Sequence, residues 1–95
     1  MERLQRLAQV LVQYSVEVQA HQMVGISADV AALPLVRAVH HEVVKAGAHP
    51  ILFSSDETLM RDFLRTASDE QLDWFNPLQM GFIEHADAFI NLRAT

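Results

Sequence analysis

The chain has 95 residues, 51% of them hydrophobic and 20% charged, with no cysteine and a formal net charge of −5. That is the make-up of one globular domain, or part of one, without a disulfide framework, a thiolate metal site or a cysteine nucleophile. The acidic balance argues against a nucleic-acid surface, and no apolar run is long enough to span a bilayer or serve as a signal peptide, so a cytoplasmic protein without a membrane partner is expected. In chain order, Leu4, Leu7, Ala8 and Leu11 recur at helical spacing between polar residues and predict an amphipathic helix ending near Tyr14. Residues 15–22 read as a loop, although Val16-Glu17-Val18 alternates as a strand would. Residues 23–27 follow as a first buried strand, in which Gly25 signals a close neighbour above the backbone.

Residues 33–53 form the unit around which the chain is organised. Pro34 suits a first helical position, and Val36, Val39, Val43 and Ala46 fall on one face of the helix it opens. Arg37, His41 and Lys45 stack on the opposite face. Gly47 supplies a left-handed stop, and Pro50 forbids the helix from resuming. Ile51-Leu52-Phe53 is an apolar run of the kind buried on both sides in a parallel sheet. Ser54 with Glu57 reads as a capping box for the next helix, whose stripe is Leu59, Met60, Phe63, Leu64 and Ala67. Ser68 with Gln71 repeats the signal for a short helix through Leu72 and Phe75. Asn76-Pro77 opens a third, carrying Leu78, Phe82 and Ile83 inward. Ala88–Leu92 is the last strand.

Helices alternating with short apolar strands predict an α/β fold. Right-handed crossovers give three parallel strands in the order 2-1-3, half of a doubly wound fold with three αβα layers. The helix 34–46 then covers one face and residues 55–86 the other. The outer side of the third strand carries no Lys or Pro to protect it. It is expected to recruit a second copy through Phe89, Ile90 or the adjacent helices; the alternative is closure by residues 91–95 and the helices of 69–85.

The five histidines do not add up to a metal site. His41-Glu42-Val43-Val44-Lys45 approaches the zinc-protease helix signature, but Lys45 stands where the second ligand belongs. His40 and His41 point about 100° apart on a helix. His21, His49 and His85 are isolated, and Ser15 has no histidine partner, so no catalytic residue is assigned. Trp74 and Phe75 are read as core rather than as a recognition patch. Open parallel sheets bind ligands at the carboxyl ends of their strands. There the loops offer Ser27 and Asp29 after the first strand and Ser54 and Asp56 after the second. These four are the candidate ligand-binding residues, for a small cationic or metal-linked ligand; the simpler role of their side chains is helix capping. With no glycine-rich loop after the first strand, a dinucleotide or phosphate site is not supported.

Leu7-Ala8 with Leu11-Val12-Gln13-Tyr14-Ser15-Val16, Pro34-Leu35-Val36-Arg37-Ala38, Lys45-Ala46-Gly47-Ala48-His49-Pro50, Ala67-Ser68-Asp69-Glu70-Gln71-Leu72 and Ala86-Asp87-Ala88-Phe89-Ile90 occur here in that order. Together they resemble the amino-terminal α/β region of the thermophilic metalloaminopeptidases, of the aminopeptidase T and aminopeptidase S kind. The resemblance implies a parent that hydrolyses amino-terminal residues from peptides with a pair of divalent ions (zinc, cobalt or magnesium) held by a later domain. None of those ligands has a counterpart in this sequence. The chain is therefore expected to be a single α/β domain at the front of a longer protein, a non-catalytic scaffold and oligomerisation region, inactive alone and without a cofactor of its own. The rival expectation is a stand-alone ligand-binding or structural module.

Overall fold

The computed structural model describes residues 2–92; Met1 and residues 93–95, and with them most of the proposed closing tail, lie outside the described residues. The first helix, α1 (Glu2–Val10), continues into a π-helical turn over Leu11–Ser15, closed by the Val16 N–H donating to the Leu11 carbonyl at 3.0 Å. The connector that follows is irregular, as expected. Glu17 at φ 53° breaks the apparent strand alternation. Strand β1 (Met23–Asp29) runs two residues further than the sequence suggests. Asp29 then caps a single 3₁₀ turn, Val30–Ala32, which leads into α2 (Leu33–Lys45) with Pro34 in its first turn. Gly47 stops that helix at φ 83°. Strand β2 (His49–Ser55) follows, then α3 (Glu57–Thr66), the short α4 (Asp69–Leu72), α5 (Pro77–His85) and β3 (Ala88–Leu92).

The sheet is open, wholly parallel and ordered β2-β1-β3, the α/β arrangement predicted. Register sorts its residues onto two faces, because successive strand side chains alternate. Val24, Ile26 and Ala28 of β1 share a face with Pro50, Leu52 and Ser54 of β2 and with Ala88, Ile90 and Leu92 of β3. The core forms on that side, where Ala8 and Val12 from the first helix and Val36, Val39 and Val43 from α2 close over Val24, Ile26, Ile90 and Leu92. A reciprocal pair of hydrogen bonds, one to a side chain and one along the backbone, ties the start of β1 to the residue before β3: Met23 N–H donates to Asp87 Oδ2 at 2.8 Å, and Asp87 N–H returns to the Met23 carbonyl at 2.9 Å.

The other face is thinly covered, and here several expectations fail. Phe82 of α5 lies over Gly25, edge to face with Phe53 at 4.7 Å and with Phe89 at 5.3 Å between ring centroids. Leu78 and Ile83, expected to point inward, are 82% and 55% exposed. Leu59, Met60, Phe63 and Leu64 of α3 are exposed, and so are Trp74 and Phe75, which therefore do not belong to the core. Ile51 and Leu52 are also partly open, because β2 is an edge strand rather than one buried on both sides. The Ser54–Glu57 capping box does not form. Ser54 and Ser55 stay in β2, paired with Ala28 and Asp29, and Asp56 caps α3 by accepting from the Thr58 N–H at 3.0 Å. Glu57 pairs instead with Arg61, at 2.7 Å. The Ser68–Gln71 box and the Asn76 cap are present as read. No helix among the described residues is long and apolar enough to cross a membrane.

Candidate functional site

Parallel strands end at one edge of the sheet, so the residues following β1 and β2 are brought together by register alone. Asp29 stands opposite Ser55, and Ser27 stands between Phe53 and Asn91. A cleft of about 610 Å³ opens there, lined by Ser27, Ala28, Asp29, Ser55, Glu57, Asn91 and Leu92. Of the four candidates, Ser27 and Asp29 line it. Ser54 does not line it; it lies on the opposite face of the sheet from Ser27, Asp29 and Ser55. Asp56 does not line it either; its carboxylate is held at the start of α3. Ser55, one residue on, takes the place expected of Ser54.

Glu57 and Asn91 were missed. Asn91 is the single polar residue in the run Ala-Phe-Ile-Asn-Leu, and the two-residue period of that strand places it on the face of Phe89, opposite Ile90. That alternation was the available signal. Asp29 combines both roles considered for it: Oδ1 accepts from the Ala31 N–H at 2.9 Å, while the residue also lines the cleft. A second groove, about 150 Å³, adjoins the first and shares Ser27 and Asn91 with it; its walls are Phe53, Phe82, Ile83, Phe89 and Gln79.

None of the histidines lines this cleft. All five are exposed, and His41 helps line a separate shallow groove with Leu4, Pro34 and Arg37 between α1 and α2. Glu42, the base position of the zinc-protease signature, is only 4% exposed, so it does not share the open face of His41. Among the described residues no three His, Cys, Asp or Glu side chains are grouped so as to hold a metal ion.

Comparison with known proteins places this geometry. The structure resembles that of wild-type AmpT from Thermus thermophilus, with a TM-score of 0.74 and 25% sequence identity; the likeness covers 88% of this chain and 22% of that one. The chain thus spans less than a quarter of that protein. No curated protein matches the sequence. The family described as thermophilic metalloprotease (M29) matches over residues 1–95, the whole sequence given. The resemblance in the sequence, the parallel order β2-β1-β3 and this match agree, and the chain belongs to the thermophilic metalloprotease family.

Proposed function

We propose that this chain is the scaffold and association region of a metal-dependent aminopeptidase, and that hydrolysis of peptide amino termini is carried out by residues outside it. One observation carries the reading. The family match extends over residues 1–95, yet the described residues group no set of side chains able to hold the divalent metal that the family name implies. A hydrolytic zinc takes about three protein ligands and keeps one position open, a requirement these residues do not meet. No catalytic step is therefore assigned to them. The exposed apolar helices α3 and α5 support the association half of the role, since a surface of that kind marks a place where protein packs.

The test is hydrolysis of amino-acid anilides and short peptides by the purified chain, with zinc, cobalt or magnesium added in turn. No metal-dependent turnover is expected. Turnover that follows the pure protein and falls in His41→Ala would overturn the reading. The cleft at the strand ends favours a second role, ligand binding by the chain itself, because register assembles it from all three strands.

A further inference from the structure

The groove between α1 and α2 shares no residue with the cleft at the strand ends. It has a volume of about 230 Å³ and is lined by Leu4 and Gln5 of α1 and by Pro34, Arg37, Ala38 and His41 of α2. Positions 34, 37, 38 and 41 recur at helical spacing, so a single face of α2 supplies its wall. Leu4, Pro34 and Ala38 make part of the lining apolar, while Gln5, Arg37 and His41 bring hydrogen-bond donors. No acidic side chain lines the groove. Among the described residues Arg37 forms no ion pair, and the one acid of α2, Glu42, is only 4% exposed. In a chain of net charge −5, α1 and α2 run the other way: they carry Arg3, Arg6, Arg37 and Lys45 against Glu2 and Glu42.

The lining chemistry narrows what fits. A cation would meet the Arg37 guanidinium and find no carboxylate, which disfavours metal ions and ammonium compounds alike. A wholly apolar molecule would leave that guanidinium unanswered, and a small inorganic anion would leave the apolar part of the lining uncovered. We infer that the groove is a binding site for a small apolar monocarboxylate, one carboxylate on a hydrocarbon or aromatic body. The carboxylate accepts from Arg37, whose planar fork matches its two oxygens. His41 lies one turn on and is the neighbour of Arg37 on the surface of α2, so its ring N–H is the second donor. The apolar body lies along Leu4, Pro34 and Ala38. The scaffold reading gives these residues no role, so the site stands or falls apart from it.

Titration of the full chain, followed by backbone amide NMR, tests this with 3-phenylpropanoate, 3-phenylpropanamide, acetate and phenylalanine. 3-Phenylpropanoate is expected to shift the amides of Gln5, Ala38 and His41 saturably and to leave those of Ser27 and Asn91 in place. The amide lacks the charge and acetate lacks the body, and each should bind about tenfold more weakly or worse. Phenylalanine sets an ammonium beside Arg37 and should also bind more weakly. Arg37→Gln should weaken 3-phenylpropanoate about tenfold without moving the unfolding midpoint, since the side chain is exposed. Arg65→Gln makes the same change of charge on α3 and should leave the affinity in place. The proposal is overturned by equal binding of the neutral amide or acetate, or by phenylalanine binding as tightly. It is overturned equally by an affinity unchanged in Arg37→Gln or lowered as much by Arg65→Gln. Shifts confined to Ser27 and Asn91, or no saturable shift at tens of millimolar ligand, would also end it.

Discussion

Gly47 holds φ at 83°, a conformation that costs a side-chain-bearing residue about 1–2 kcal/mol, and a β-branched one more. A Cβ there would also come within 3.3 Å of the Ala20 methyl. His41 is exposed on the same helix and lies outside the core. Gly47→Val should therefore lower the denaturation midpoint clearly, while His41→Ala stays within about 0.5 kcal/mol of the parent. Equal midpoints would contradict the helix-stop role. Gly25 is needed for a different reason, since its backbone is the seat of the Phe82 ring. A Cβ would lie 2.6 Å from Phe82 Cζ and 2.9 Å from Phe89 Cδ1, so one ring must move. Gly25→Ala is expected to destabilise by about 1–3 kcal/mol, the usual effect of overpacking. In a Phe82→Ala background the same change should cost less, because the closer of the two clashes has gone and only that with Phe89 remains, with room for its ring to shift. A cost that is the same in both backgrounds would place the strain elsewhere.

The start of α3 separates what local sequence can report from what pairing decides. Asp56→Ala removes the oxygen that accepts from the Thr58 N–H and should cost α3 about 1 kcal/mol, seen as faster amide exchange in its first turn. Ser54→Ala should leave that exchange unchanged. A reversed result would restore the Ser54 cap. The sequence pattern favoured Ser54 because Ser-x-x-Glu is a complete capping signal. It lost because Ser54 and Ser55 continue the ladder opposite Ala28 and Asp29, a long-range pairing that no window around residue 54 contains. Elements with their own punctuation were legible: Pro34 and Gly47 bound α2, Ser68 and Gln71 open α4, and Asn76 opens α5. Half of the cleft was legible too, since strand ends converge in any open parallel sheet. The face on which Ser54, Ser55 and Asn91 lie depends on register, which slips to the opposite side with a shift of one residue.

Taken whole, the molecule is well packed on one side only. A compact domain of this length has a radius of gyration near 12 Å, whereas this one measures 15.0 Å. The excess matches the burial pattern, in which the core lies on the α1–α2 side and the helices of 57–85 bury none of their side chains fully. Amphipathic spacing showed which face of α3 is apolar, but not whether anything covers it. Leu59, Leu64, Phe75 and Leu78 are left on a common stretch of open surface chain, each more than half exposed. Association at the third strand itself is constrained, because Ile90 is 3% exposed and already part of the core, while Phe89 is engaged with Phe82. Charging Ile90 would therefore unfold the domain rather than report on a contact. The informative variant is Phe75→Glu with Leu78→Glu, two positions that are 79% and 82% exposed and outside the core. Light scattering should find the native chain assembled at micromolar concentration and this double variant monomeric, with unfolding midpoints that agree. A native chain that stays monomeric over a wide concentration range would end the association half of the proposed role. An assembly that survives both charges would move the contact away from α5 and back toward the free edges of β2 and β3.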